Sequence, residues 1–128
     1  MRILYIDDDA DDREMLDLAL RKIDPAIQVA FAVNGMAGLH FLKQAQEDNE
    51  LPCLVVLDIN MPVLDGKKTL ELIRRDLALS DLPVVIFTSS QNSHDKAFFA
   101  SRASDFISKP LTSSELNNVA RQLLNYCA

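Results

Sequence analysis

Short apolar runs alternate along the chain with stretches in which apolar residues repeat every three or four positions. Residues 53–57 and 84–87 are continuously apolar, which predicts central strands covered by helices on both faces. Residues 2–6 predict a first strand, and the alternating pattern of residues 27–33 favours a second strand nearer the edge of the sheet. Residues 106–107 predict a short fifth strand.

Four of the helices are predicted from apolar stripes with the i, i+3, i+4, i+7 spacing of one buried helix face. The stripes are Leu16, Ala19, Leu20 and Ile23; Gly38, Phe41, Leu42 and Ala45; Leu70, Ile73 and Leu77; and Leu116, Val119, Ala120, Leu123 and Cys127. Asp65 is placed to cap the third of these helices, and Thr112 with Glu115 predicts a capping box at the last one. Residues 93–100 predict a fifth helix, with a less regular pattern. Strict alternation of five strands and five helices is typical of an α/β fold with a parallel sheet.

Composition is that of an ordinary globular domain. The chain has 128 residues, of which 48% are hydrophobic and 25% charged, and this length suits one domain with a proper core. No apolar run approaches the roughly 20 residues that span a bilayer, and the start of the chain is no secretory signal. We therefore expect a cytoplasmic protein without a membrane partner. The net charge of −6 argues against direct DNA binding, which needs a concentrated basic surface.

The two cysteines and two histidines suggest no special chemistry. Cys53 opens an apolar run and Cys127 lies at the chain end, so we expect two buried or incidental thiols in a reducing compartment rather than a disulfide. His40 and His94 are isolated in the sequence, and no cysteine and histidine cluster indicates zinc.

Polar residues useful in phosphoryl transfer follow every predicted strand except the second. Ligands of an open parallel sheet bind at the carboxyl ends of its strands, so these residues are expected to form one site. They are Asp7, Asp8 and Asp9 after strand one, Asp58 and Asn60 after strand three, Thr88 and Ser89 after strand four, and Lys109 and Pro110 after strand five.

Three of these carboxylates predict a metal site. Asp7, Asp8 and Asp58 would repel one another if they met at one sheet edge, and a hard divalent cation such as Mg²⁺ removes that cost. The other aspartates of the first acidic stretch are expected to serve only as a favourable negative start of the first helix: Asp9, Asp11 and Asp12.

The run Leu57-Asp58-Ile59-Asn60-Met61-Pro62, followed by Asp65-Gly66, resembles the phosphoacceptor loop of bacterial response-regulator receiver domains. The Asp7-Asp8 pair, Thr88-Ser89 and Lys109-Pro110 match the same family in the same order, and the likeness runs from Ile3 to Leu124. The resemblance implies a flavodoxin-like (βα)5 fold, a doubly wound parallel five-stranded sheet in the order 2-1-3-4-5. It also implies a stand-alone receiver domain over residues 1–128 that signals without being an enzyme in its own right.

The resemblance implies a role for each residue of the phosphoacceptor and metal site. Asp58 would be the nucleophile that takes a phosphoryl group from a phosphohistidine, forming an acyl phosphate. Asp8 and Asp58 would bind Mg²⁺ directly, Asn60 would contribute its backbone carbonyl, and Asp7 would act through water.

The resemblance also assigns residues to the response that follows phosphorylation. Lys109 would pair with Asp58 at rest and with a phosphoryl oxygen afterwards, held in place by a cis bond to Pro110. Thr88 would donate its hydroxyl to the phosphoryl group, and Phe106 matches the switch aromatic. The partners implied are a sensor histidine kinase or a histidine phosphotransfer protein, and a downstream protein that reads the face formed by helix four, strand five and helix five.

Two other functions fit parts of the sequence. An aspartate-nucleophile phosphatase of the haloacid-dehalogenase type places two acids two residues apart after a strand, as residues 7–11 do, but the chain lacks room for a cap and Asp58 would be unexplained. A flavodoxin-like mononucleotide binder needs a glycine-rich loop after strand one, and none of the three glycines lies there.

One segment departs from the family pattern. Residues 101–105 lack the glycine that family members often carry before the switch aromatic. Either Arg102 adopts a left-handed conformation at some cost, or the turn has a different shape.

Overall fold

The computed structural model describes residues 1–90 and 92–128, in which five strands and five helices alternate. The elements are β1 (Arg2–Ile6), α1 (Ala10–Ile23), β2 (Gln28–Ala32), α2 (Gly35–Glu47), β3 (Leu54–Leu57), α3 (Gly66–Arg75), β4 (Val84–Thr88), α4 (Ser93–Ala100), β5 (Asp105–Ser108) and α5 (Ser113–Asn125). All strands pair in parallel in the order β2-β1-β3-β4-β5, which confirms the predicted fold class. None of the described helices is long and apolar enough to cross a membrane.

The apolar runs of β3 and β4 are buried throughout because helices cover both faces of the sheet. Alternate side chains of a strand point to opposite faces, so each strand contributes to two separate cores. Leu54 and Val56 of β3 pack with residues of α1 and α5, whereas Val55 and Leu57 pack with residues of α2 and α3. This double coverage fixes the position of β3 and hence of the residue that follows it.

The edge strands are less buried than the central ones. Phe31 of β2 is 41% exposed, and the first and last residues of β5 are exposed. This agrees with the prediction of an edge position for β2, which its alternating sequence indicated.

Each helix begins at a polar residue whose side chain accepts a backbone N–H of the first turn. These N-caps are Asp9, Asn34, Asp65, Asn92 and Thr112, which confirms the predicted cap of α3 and, at α5, the half of the predicted capping box in which Thr112 accepts the Glu115 N–H. The prediction that Leu77 continues the apolar stripe of α3 is wrong. Asp76 leaves the helical conformation and its carboxylate accepts the N–H of Ala78, so the helix ends at Arg75 and Leu77 is 93% exposed.

A disulfide joins Cys53 to Cys127, contrary to the prediction of two separate thiols. Cys53 lies just before β3 and Cys127 just beyond α5, with Cα atoms 5.3 Å apart. The residues are 74 positions apart in sequence, so their meeting depends on how α5 packs against the sheet. The bond lies at the amino end of β3, away from the residues that follow its carboxyl end.

The turn before β5, residues 101–104, contains no residue in the left-handed conformation. The non-glycine residues with positive φ in the described chain are Asn49 and Val63, so Arg102 carries no such strain. Instead, the Arg102 N–H bonds to the carbonyl of Phe99 and its guanidinium donates to the carbonyl of Phe98, at 3.1 and 2.6 Å.

Candidate functional site

The carboxyl ends of β1 and β3 are adjacent, and this brings their aspartates together. Ile6 pairs with Leu57 in register, and the Asp58 N–H continues the ladder by donating to the Ile6 carbonyl at 3.0 Å. One carboxylate oxygen from each of Asp7, Asp8 and Asp58 lies within 4.8 Å of the other two, so these side chains meet at the sheet edge as the sequence predicted.

Asp7 is fully buried and its carboxylate is held from several sides. One oxygen accepts hydrogen bonds from the Tyr5 hydroxyl at 2.7 Å and from Lys109 Nζ at 2.8 Å, and the other accepts the Asp9 N–H at 2.9 Å. Burial first, and then the charge of Asp7, raises the pKa of the Tyr5 hydroxyl. Tyr5 therefore stays protonated and acts as a fixed hydrogen-bond donor to the site.

Lys109 enters the site from the end of β5. Its N–H donates to the Thr88 carbonyl at 2.8 Å, and its ammonium contacts Asp7 at 2.8 Å, Asp12 at 2.7 Å and Asp58 at 3.6 Å. Burial by itself would lower the pKa of this ammonium, but the hydrogen bonds to Asp12 and Asp7, together with the negative charges of Asp58 and Asp7, outweigh burial and raise it. The lysine is therefore a permanent cation, with closer contacts to Asp7 and Asp12 than to its predicted partner.

The bond between Lys109 and Pro110 is trans, contrary to the prediction of a cis bond, and the described chain contains no cis peptide bond. The backbone hydrogen bond from Lys109 to Thr88 extends the β4–β5 ladder by one residue beyond Ser108. This ladder directs the lysine into the site without a cis bond.

Asp58 is almost completely buried, with 6% of its surface exposed. Burial raises the pKa of its carboxyl above the usual range, the charge of Lys109 opposes that rise, and the charge of Asp7 adds to it. One carboxylate oxygen accepts the N–H of Ile59 at 2.9 Å. Thr88 is fully buried at the end of β4, where its hydroxyl oxygen accepts the N–H of Ser90 at 3.2 Å, and this hydroxyl acts to lower the pKa of Asp58.

The loop between β3 and α3 folds tightly over Asp58. The Gly66 N–H closes it by donating to the Ile59 carbonyl at 2.9 Å, and a Cβ on Gly66 would lie 2.6 Å from the Asp58 carbonyl oxygen. Only glycine fits there. Val63 is 77% exposed at φ 71°, an uncommon conformation for a β-branched residue. Asn60 lies exposed in this loop, two residues beyond Asp58.

Phe106 lies half-buried on β5, with its ring centroid 6.1 Å from that of Phe99 on α4. A cavity of about 300 Å³ lies beside it between α4 and β5, lined by Lys96, Phe99, Ala103 and Asp105 among others. Phe106 pairs in register with Ile86 of β4, and its role as the switch aromatic stays a prediction.

Comparison with known proteins identifies the family. The family model described as response regulator receiver domain matches residues 3–121. The chain belongs to this family. Receiver domains are the phosphorylated modules of response regulators in two-component signalling, and they bind a divalent metal.

Relatives with this receiver domain are found in several bacterial groups. The chain is 35% identical over 124 residues to the transcriptional regulatory protein PrrA of Mycobacterium tuberculosis, covering 96% of this chain and 49% of PrrA. It is 33% identical to the DNA-binding dual master transcriptional regulator RpaA of Synechocystis, over 96% of this chain and 48% of RpaA. The chain therefore spans about half the length of these curated relatives. An uncharacterized 14.6 kDa protein of Leptolyngbya boryana is 32% identical to this chain, and the match covers 99% of this chain and 90% of that protein.

Solved structures share the fold of this receiver domain. The phosphorylated cyanobacterial phytochrome response regulator RcpA superposes with a TM-score of 0.87 at 25% identity, covering 98% of this chain and 91% of that one. The Mn²⁺-bound form of response regulator Rcp1 superposes with a TM-score of 0.84 at 24% identity, with 98% and 93% covered.

The donor set of this receiver domain suits a hard divalent cation. Three carboxylates converge within 4.8 Å, and a fourth, that of Asp12, lies on the same lysine. The ammonium of Lys109 contacts the carboxylates of Asp7, Asp12 and Asp58, and the Arg13 guanidinium donates to the Asp7 carbonyl at 2.7 Å, so the four carboxylates still leave the site with excess negative charge. Carboxylate oxygens are the ligands that Mg²⁺ and similar ions prefer. The residues present therefore fit the metal that the family binds.

Sequence reasoning missed two residues of the site. Tyr5 lies two positions before Asp7, so both side chains are on the same face of the strand. A tyrosine inside an apolar strand needs a partner for its hydroxyl, and this signal could have identified it. Asp12 was assigned only to the acidic start of α1, and its contact with Lys109 depends on how α1 and β5 are arranged in space.

Proposed function

We propose that residues 1–128 form a receiver domain whose Asp58 accepts a phosphoryl group from a phosphohistidine. The observation that carries the proposal is the buried carboxylate of Asp58, placed among the carboxylates of Asp7 and Asp8 and 3.6 Å from the ammonium of Lys109. Phosphoryl transfer depends mainly on positioning and on cations that neutralise the oxygens, and this site provides both.

The proposed reaction is a single displacement at phosphorus. A carboxylate oxygen of Asp58 forms the new bond to phosphorus, the bond from phosphorus to the imidazole nitrogen breaks, and the released imidazole takes up a proton from solvent. Lys109 neutralises a phosphoryl oxygen, and the Thr88 hydroxyl donates a hydrogen bond to another. The product is an acyl phosphate on Asp58.

We propose Mg²⁺ as the metal of this receiver domain. Asp8 and Asp58 would hold it directly, Asp7 through water, and the backbone carbonyl of Asn60 would complete the protein ligands. When bound, Mg²⁺ neutralises the carboxylates and the phosphoryl oxygens, so repulsion no longer opposes the approach of the donor. Response regulator Rcp1, which shares this fold, has a Mn²⁺-bound form, and this supports a divalent ion in the present domain.

We propose that the partners are a sensor histidine kinase or a histidine phosphotransfer protein, and a downstream protein that binds the face of α4, β5 and α5. The cavity beside Phe106 on that face supports the second assignment. A net charge of −6 supports action through protein contact rather than direct DNA binding by these residues.

A cytoplasmic location stays a prediction from the sequence, and the Cys53–Cys127 disulfide weighs against a strongly reducing compartment.

Incubation with acetyl phosphate and Mg²⁺, followed by intact mass spectrometry and assay of released phosphate, tests the proposal. A receiver domain is expected to gain one phosphoryl group per chain, and to lose it slowly when the donor is removed. A phosphatase would instead release many equivalents of phosphate without accumulating a stable adduct. Absence of any adduct in the presence of Mg²⁺ would contradict the proposal.

Asp8→Asn is expected to weaken Mg²⁺ binding by roughly tenfold or more, because it removes a direct carboxylate ligand. It is also expected to raise the metal-free melting temperature, because repulsion among the carboxylates of the site is relieved. Titration calorimetry and differential scanning calorimetry measure the two effects. Asp11→Asn, an equal change of charge on an exposed neighbour, is the matched control. Unchanged affinity together with unchanged melting would remove Asp8 from the metal site.

We further propose that Thr88 and Phe106 connect phosphorylation to the face that partners read. The Thr88 hydroxyl can follow the phosphoryl group, which opens space behind it, and the half-buried ring of Phe106 can then move inward. Burying an aromatic side chain contributes about 1.5–3 kcal/mol, enough to favour one of two states.

Thr88→Ala is therefore expected to be phosphorylated but to respond poorly. Phosphorylation should shift the amide NMR signals of residues 92–108 in the wild type, and these shifts should shrink in Thr88→Ala. Phe106→Ala is expected to behave in the same way. Shifts of equal size in wild type and Thr88→Ala would mean that another route carries the signal.

A further inference from the structure

The ammonium of Lys109 is held mainly by two carboxylates other than that of Asp58. Its nitrogen lies 2.7 Å from Asp12 and 2.8 Å from Asp7, but 3.6 Å from Asp58. A lysine ammonium has three donors, and these two contacts occupy two of them. The cation that should meet the phosphoryl group is thus drawn towards β1 and α1 in this state.

Asp12 is well placed to control where the ammonium lies. It is in the first turn of α1, where its backbone N–H donates to the capping carboxylate of Asp9 at 3.0 Å. Its side chain is 35% exposed, whereas that of Lys109 is 13% exposed. Within the described residues, Lys109 is the one side chain with which the Asp12 carboxylate forms an ion pair. Asp12 is not among the three carboxylates that converge on the metal site, so its effect should pass through the lysine.

We propose that Asp12 is a positioning residue that holds Lys109 away from Asp58 until a phosphoryl group arrives. A phosphoryl group carries about −1.5 to −2 charges and can draw the ammonium from a single, partly solvated carboxylate. Separating Lys109 from Asp12 then opposes phosphorylation, so Asp12 makes the domain slower to respond to weak donors. The inference rests on the proposed phosphorylation of Asp58.

Labelling rates test the effect on the reaction. With acetyl phosphate and Mg²⁺, Asp12→Asn is expected to be phosphorylated roughly two- to fivefold faster than wild type, the factor given by loss of a partly exposed ion pair. Asp11→Asn removes the same charge from the residue just before Asp12. Asp11 has no ion pair with Lys109, so this variant should label at the wild-type rate. Asp12→Glu restores a carboxylate and should return the rate towards that of wild type.

A second measurement reports on the position of the lysine without any phosphoryl donor. The side-chain NMR signal of Lys109, assigned by Lys109→Arg, is expected to move in Asp12→Asn and to stay in place in Asp11→Asn. An unmoved Lys109 signal in Asp12→Asn would overturn the proposal, as would a moved signal with an unchanged labelling rate. Failure of the wild type to label would instead count against the proposed function, and the lysine signal would still show whether Asp12 holds Lys109.

Discussion

Reduction of the Cys53–Cys127 disulfide is expected to lower the free energy of unfolding by about 4 kcal/mol. The bond joins residues 74 positions apart, so it closes a long loop and lowers the conformational entropy of the unfolded chain by an amount that grows with loop length. The melting temperature should fall by roughly 10–20 °C on reduction. Differential scanning calorimetry with and without dithiothreitol measures the change.

The double variant Cys53→Ala/Cys127→Ala supplies the control, because dithiothreitol should leave its melting temperature unchanged. Labelling at Asp58 should continue in the reduced protein, since the disulfide lies at the opposite end of β3 from Asp58. Two free thiols in the unfolded protein, counted before any reductant is added, would show that the bond does not form.

Asp58→Asn is expected to abolish phosphorylation by acetyl phosphate, because the amide cannot act as the nucleophile. It should also raise the metal-free melting temperature near pH 7. The pKa of the buried Asp58 carboxyl is raised in the folded state, so its ionised form destabilises the fold at neutral pH.

The stability difference between Asp58→Asn and wild type gives an independent check through its pH dependence. Because the pKa of Asp58 is raised in the folded state, its protonated carboxyl contributes to the free energy of unfolding. This contribution is fully present below the pKa of the unfolded chain, about 3.9, and is lost as the pH rises through the pKa of the folded state. The excess melting temperature of Asp58→Asn over wild type should therefore shrink as the pH is lowered towards the pKa of the unfolded chain. An advantage that stays constant over this range would mean that the variant stabilises the fold for another reason.

Much of the fold could be predicted because local patterns and the sheet agree. The continuous apolar runs of β3 and β4 required cover on both faces, and the alternating run of β2 required an edge. Asp65 and Thr112 indicated where α3 and α5 begin, because their side chains accept backbone N–H groups of the first helical turn. Leu77 was misplaced because an apolar stripe does not show where a helix stops, whereas the local turn at Asp76 decided it.

The site could be predicted as far as it depends on strand ends. Asp7, Asp8 and Asp58 meet because neighbouring parallel strands end at the same edge. The contacts of Lys109 with Asp12, and the Cys53–Cys127 bond, join elements far apart in sequence. Such contacts depend on how helices pack on the sheet, and periodicity contains no information about that packing.

Location of the phosphoryl group within the chain tests the central claim most directly. After brief incubation with acetyl phosphate and Mg²⁺, borohydride reduction converts an acyl phosphate of aspartate into homoserine, which peptide mass spectrometry can locate. We expect homoserine at residue 58 in the wild type, and none at any position in Asp58→Asn. Homoserine at Asp7 or Asp8 with Asp58 unmodified, or equal conversion in Asp58→Asn, would contradict the assignment of Asp58 as the phosphoacceptor.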